Sequence, residues 1–174
     1  KLGLLPGGGG TQRLVKRVGL QKALDIMLTG KNIYPSQAKK MGLVDEVTSE
    51  SKLQSVARQI CQKMIDGKWK KPEVKKSFMN KFLEDTSIGR GIVFKQAKKM
   101  SAKQSQGNYP AIPAIIDCLE TGLTEGNAAG YEKELVLFEE LMLTPESEAL
   151  RSLFFGMSDN KKNPYKQESK AHKE

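Results

Sequence analysis

The sequence predicts a mainly α-helical fold, and three observations carry that expectation. Apolar residues recur at the 3.6-residue period in segment after segment. Glycine, proline and hydroxyl residues fall where those segments begin and end. Extended runs are scarce: after the first few residues only Leu43-Val44-Asp45-Glu46-Val47 reads as a strand, and a short one.

In chain order, Leu2 to Leu5 reads as a strand end running into Pro6 and the four glycines Gly7 to Gly10. Thr11 is placed as the N-cap of a helix through Val18, closed by Gly19. Leu20, Ala23, Leu24, Met27 and Leu28 form one helical stripe ending at Gly30. Pro35 and Ser36 start a short helix to Met41 that Gly42 stops. Leu53, Val56, Ala57, Ile60 and Met64 mark a longer helix, ending near Gly67. Beyond the basic loop 68–72, residues 73–85 and 88–105 read as two amphipathic helices. The first carries Phe78, Met79, Phe82 and Leu83, the second Ile92, Val93, Ala97 and Met100. Gly107-Asn108-Tyr109-Pro110 breaks the chain. Ile112, Ile115, Ile116, Leu119 and Leu123 then define a helix with Pro113 in its first turn. The next helix starts at Gly126 or Asn127 and carries Leu135, Phe138, Leu141 and Met142. Thr144 caps a last helix with Pro145 at its first position, and Ala149, Leu150, Leu153 and Phe154 continue it. From Gly156 onward the lysine-rich sequence has no periodicity and is expected to be a disordered linker.

Composition narrows the function. With 38% hydrophobic and 28% charged residues the chain is expected to be globular, and no apolar run approaches the ~20 residues of a membrane span. Cys61 and Cys118 lie on apolar helix faces and read as buried thiols in a reducing compartment rather than a disulfide. The single histidine, His172, sits in the polar tail and gives no basis for a metal centre. Residues 63–103 hold 12 Lys/Arg against 4 Asp/Glu, which is +8 of the total +9. That stretch either serves an anionic partner, such as a membrane surface or the phosphates of coenzyme A, or is a solvated helical face. Its aromatics, Trp69, Phe78, Phe82 and Phe94, do not alternate with basic residues as base stacking requires, and nucleic acid is excluded on that ground.

The opening stretch, Leu4-Leu5-Pro6-Gly7-Gly8-Gly9-Gly10-Thr11-Gln12-Arg13-Leu14, organises the rest. Glycines here let backbone approach a ligand or a neighbouring chain segment without a Cβ in the way. The phosphate-cradling P-loop is ruled out, because no lysine-serine or lysine-threonine pair follows; the dinucleotide fingerprint fails because it needs glycine where Gln12 stands. What the stretch resembles, through Gly3, Pro6, Gly7, Gly9, Gly10, Thr11, Gln12, Arg13 and Leu14, is the enoyl-CoA hydratase (crotonase) family. The likeness continues through Gly19, Leu28-Thr29-Gly30 and the residues from Ala38 to Asp45. Later stretches are similar to one branch, the multifunctional α subunits of fatty-acid β-oxidation complexes: Gly107 to Ala111, Thr121-Gly122-Leu123, Gly130-Tyr131, and Leu143 to Ser152.

The resemblance implies that the chain is the C-terminal helical part of a crotonase-type α+β fold, a β-β-α spiral. Residues 1–67 would close the hydratase domain, 68–155 form a helical extension, and 156–174 lead towards a dehydrogenase domain. The family's two catalytic glutamates would precede Lys1, so the chain is expected to be a fragment without hydratase activity of its own. The parent would add water to a 2-trans-enoyl-CoA and oxidise the 3-hydroxyacyl-CoA with NAD bound in the dehydrogenase domain, with no cofactor in these residues. Gly7 is the implied catalytic residue, its backbone N–H helping to hold the water, or else it serves only the tight turn. Leu5, Pro6, Phe138 and Phe154 are the implied CoA-binding residues, the two phenylalanines being equally readable as core. The family's basic partner to the second aromatic falls at Met157, which cannot play that part; Lys161 or Lys162 would have to substitute. Gln12, Arg13 and Lys40 read as structural. The implied partner is a thiolase β subunit, in a bacterial cytoplasm or, in a eukaryote, the mitochondrial matrix. The alternative is a helical interaction module that contacts that subunit or an anionic membrane. With no sheet to cover them, the stripes at 20–29 and 53–65 are expected to pack on the helices at 112–123 and 135–155 or on another copy.

Overall fold

The computed structural model describes residues 2–70 and 77–161, apart from the side chain of Gln104. Among these, every regular element is a helix: α1 (Gly10–Val18), α2 (Leu20–Thr29), α3 (Pro35–Met41), α4 (Leu53–Ile65, preceded by a 3-10 turn at Glu50–Lys52), α5 (Phe78–Asp85), α6 (Ser87–Ser105), α7 (Ala111–Thr124), α8 (Asn127–Met142) and α9 (Pro145–Asp159). The mainly helical expectation holds.

The core is built around α7. Its Ala114, Ile115, Ile116, Cys118 and Leu119 are buried against Leu5, Leu20, Leu24, Phe94 and Leu141. α8 packs along α7 on one side, while α1, α2 and α6 meet it on others. The α2 stripe is therefore covered by α7 and α6, and Leu20, Ala23 and Leu24 are buried. Phe94, which the amphipathic pattern of α6 did not single out, is the aromatic that α6 contributes to this core.

Local chemistry sets the helix ends. Ser77 accepts from Asn80 N at 3.2 Å to cap α5, and Thr86 accepts from Gly89 N at 3.0 Å to cap α6. Thr144 accepts from Ser147 N at 3.2 Å to cap α9, with Pro145 next in the chain. The start of α9 also fixes the chain's opening segment: Ser147, wholly buried, donates its hydroxyl to Leu2 O at 3.2 Å.

Several expectations are corrected. Leu43–Val47 is not a strand: with no partner strand, its backbone completes the end of α3 instead. Leu43 N donates to Ala38 O at 2.8 Å past the left-handed Gly42. Arg17 then holds the segment, donating to Leu43 O at 3.0 Å and pairing with Asp45 at 2.6 Å. Leu2 to Leu5 is likewise not a strand. α4 buries none of its residues, so its stripe is uncovered here. Cys61 on α4 is exposed for the same reason, and only Cys118 is a buried thiol. α9 continues through Gly156 to Asp159, so the tail cannot begin as a linker at 156; residues 162–174, like 73–76 of the expected helix 73–85, lie outside the described residues.

Candidate functional site: the glycine turn

Pro6 to Gly10 forms a tight turn that delivers the chain into α1. Gly10 N donates to Gly7 O at 3.3 Å to close it. Gly9 takes the N-cap position with φ 83°, a left-handed conformation, and an ideal Cβ there would lie 2.9 Å from the Tyr131 ring. Glycine meets both requirements at once. Gly7 and Gly8 are exposed, and a Cβ at Gly8 would meet open space.

The free N–H groups at the start of α1 are answered by a residue more than a hundred positions away. Glu134 on α8 is 4% exposed, and its carboxylate accepts from Gly9 N, from Thr11 N at 3.0 Å and from the Thr11 hydroxyl. A negative group at the positive end of a helix, taking the N–H bonds that no turn of helix can take, is the physical basis of capping. The expected N-cap Thr11 is thus displaced. It lies inside the first turn, wholly buried, and its hydroxyl serves Glu134. Next to it, Gln12 is buried and donates to Cys118 O at 2.9 Å and to the Thr11 hydroxyl oxygen at 3.1 Å, pinning α1 on α7. That is the structural part expected of Gln12; Arg13 and Lys40 are exposed.

A hollow of about 620 Å³ opens beside the turn, walled by Gly7, Gly8, Gly9, Tyr131, Leu135 and Phe138, with Glu134 also in its lining. Gly7 and Phe138 are thereby brought together: an ideal Cβ on Gly7 would stand 3.1 Å from the Phe138 ring. Leu5 points its side chain into the core and is 3% exposed, so what it can offer a ligand is backbone. Pro6 lies beneath Gly10, its Cβ 2.8 Å from an ideal Cβ there. Phe154 does not line the hollow; it is 52% exposed and stacks edge-on with Phe155, their ring centres 5.8 Å apart. A larger cavity of about 670 Å³ lies elsewhere, between the end of α6, the Gly107–Pro110 loop and the facing sides of α7 and α8.

The arrangement offers backbone N–H groups on a turn anchored by Glu134 beside an aromatic wall. Glu134, whose two oxygens already accept three bonds, is the only carboxylate in that lining. No cluster of three His, Cys, Asp or Glu side chains able to hold a metal occurs among the described residues. The turn does not suit a dinucleotide, since Gln12 occupies the third glycine's place with a buried side chain wedged against Gly122 and Gly130.

Comparison with protein families matches residues 1–108 to the enoyl-CoA hydratase/isomerase family. The chain belongs to that family. Its curated relatives include the fatty acid oxidation complex subunit alpha of Shewanella baltica strain OS155, 52% identical over 162 residues. The proteins of the same description from Shewanella sp. strain MR-4 and Shewanella amazonensis are 51% and 49% identical. Each match covers 93% of this chain and 22% of the relative, so the chain spans about a fifth of the length of these proteins. The matched region includes both the glycine turn beside the smaller hollow and the residues from Lys98 to Gly107 that line one side of the larger cavity.

The residue that sequence reasoning missed is Glu134. It sits among Glu132, Glu139 and Glu140 and reads like one more solvated charge, but its helical spacing was a usable signal. Glu134 is four residues from both Gly130 and Phe138, which places all three on one face of α8.

Proposed function

We propose that the chain supplies the water-holding turn of an enoyl-CoA hydratase within a multifunctional fatty-acid β-oxidation enzyme. Water adds across the double bond of a 2-trans-enoyl-CoA to give the 3-hydroxyacyl-CoA. Carboxylates position and deprotonate the water and deliver the proton, and backbone amides stabilise the thioester enolate. In this reading the Gly7 N–H binds the attacking water and Phe138 forms the wall beside it. The CoA portion runs past Leu5 and Pro6 towards the aromatic residues of α8 and α9. The observation that carries the proposal is the exposed, three-fold-anchored glycine turn opening on the hollow beside Phe138. Family membership and the relatives' shared description support it.

The rest of the enzyme is part of the same proposal. Oxidation of the hydroxyacyl product with NAD is assigned, in this proposal, to a dehydrogenase domain outside these residues. The relatives are named as one subunit of a complex, and the partner inferred here is a thiolase β subunit in a bacterial cytoplasm. Among the described residues no helix is long and apolar enough to cross a membrane. Exposed apolar side chains on α4, α5 and α9 favour protein contacts as a second role for the chain, over binding to an anionic membrane.

The test is Gly7→Val in the complete protein. A branched side chain so close to the Phe138 ring has to displace the ring or the turn. Hydration of a 2-trans-enoyl-CoA is expected to fall by about 10²-fold or more, with oxidation of the 3-hydroxyacyl-CoA intact. Unchanged hydration would remove Gly7 from the site, and equal loss of both activities would indicate general unfolding. The 174-residue polypeptide alone is expected to show no hydration above background, because the one carboxylate lining its hollow is held by the turn.

A further inference from the structure

We infer that Glu134 is a positioning residue for hydration: it acts through the glycine turn, by fixing where the Gly7 backbone stands. The inference rests on the reading of that turn given above and adds a residue to it.

The turn has little else to hold it. Gly7 and Gly8 carry no side chains, and nothing stands within 4 Å of where a Cβ on Gly8 would be. The single backbone bond across the turn, Gly10 N to Gly7 O, is long at 3.3 Å. Leu5, buried in the core, holds the chain before the turn; the segment that follows is held by Glu134, which takes the Gly9 N–H, the Thr11 N–H and the Thr11 hydroxyl on one carboxylate. Gly9 is two residues from Gly7, so a shift at this anchor carries directly to the N–H that would hold the water. The same face of α8 also sets Phe138 against Gly7. One helix thus fixes both the turn and the wall of the hollow. Glutamine in place of Glu134 keeps the length, but turns an NH2 group towards backbone N–H donors and leaves at least one of them unanswered. Misplacing a positioned group by about 1 Å costs on the order of 10²-fold in rate.

The experiment compares Glu134→Gln and Thr11→Val with the unmodified complete protein. It reads kcat and KM for 2-trans-enoyl-CoA hydration, the rate of 3-hydroxyacyl-CoA oxidation, and the thermal midpoint. Glu134→Gln is expected to lower hydration kcat by about 10²-fold, with KM changed by less than about threefold and oxidation intact. Thr11→Val removes only one of the three bonds, so its expected loss in kcat is smaller, about fivefold. Glu134→Asp keeps both acceptor oxygens one methylene short and is expected to fall between glutamine and the unmodified protein. Normal kcat in both Glu134→Gln and Thr11→Val would overturn the inference, as would hydration and oxidation declining together, or a rise in KM at constant kcat. If Glu134→Gln does not fold, Thr11→Val decides by the same criteria. Gly7→Val run alongside separates the two ideas. Hydration that survives Gly7→Val defeats the proposed function, whereas hydration lost there but normal in the Glu134 and Thr11 variants defeats only this inference.

Discussion

Burial pushes the Cys118 thiol up to about 11, and the negative charges of Glu134 and Asp117 add to the shift. At pH 8 such a group is thiolate in only about a thousandth of molecules, and the thiolate is the reactive form. Cys61, on α4, which buries none of its residues, is exposed. Alkylation of the folded polypeptide at pH 8 is therefore expected to label Cys61 readily and Cys118 only after denaturant is added. Mass mapping of the labelled peptides checks this. Prompt labelling of Cys118 would mean that α7 is not the centre of the core. Glu134 belongs to the same scale: one side chain determines how the glycine turn enters α1, and its bonds span 123 and 125 positions.

At the scale of elements, α1, α7 and α8 meet at the amide of Gln12. Gly122 of α7 and Gly130 of α8 both close on it, and an ideal Cβ at Gly130 would come within 2.6 Å of Gln12 Cδ. Gly130→Ala is expected to drive the amide off Cys118 O and cost about 1–3 kcal/mol, the penalty for leaving buried polar groups unpaired. In a Gln12→Ala background the same change is expected to cost far less, because the group it strikes is gone. Urea unfolding of the four proteins measures the coupling, and an equal cost in both backgrounds would place the strain elsewhere.

The same elements show what was legible in the sequence. Boundaries written in local chemistry were readable: Gly19, Gly30, Pro35 with Gly42, and Thr144-Pro145 all fall where the helices begin or end. Gly7 stood out through the family motif and Phe138 as an implied CoA-binding aromatic; that the two are neighbours at one hollow was not legible in the sequence. What depended on distant partners was not readable. Thr11 has the chemistry of an N-cap, yet Glu134 displaced it from across the fold. Leu43–Val47 has strand composition, but among the described residues there is no strand for it to pair with, and the N–H groups of Leu43 and Val44 both go to Ala38 O at the end of α3. Periodicity identified the apolar stripes of α4 and α5 without telling whether anything covers them; Phe78 is 88% exposed.

For the whole molecule, the division expected near residue 67 does not appear as a division of the core. α1 and α2, before it, bury their faces on α7 and α8, after it. The glycine turn consequently depends on α8 for its shape, so the segment carrying the family motif and the helices behind it work as one unit. The basic stretch is the rival location for a CoA thioester. Its described lysines lie exposed, with Lys98 paired with Glu120 at 2.6 Å and Lys68 with Asp66 at 3.8 Å.

Hydrogen exchange of the complete protein, with and without saturating 3-hydroxyacyl-CoA and with NAD omitted, separates these locations directly. Binding is expected to slow exchange in peptides that contain Gly7 to Thr11 and Tyr131 to Phe138, with residues 78–105 unchanged. Protection confined to 78–105, with the glycine turn exchanging at its free rate, would contradict the assignment of the turn as the hydratase site.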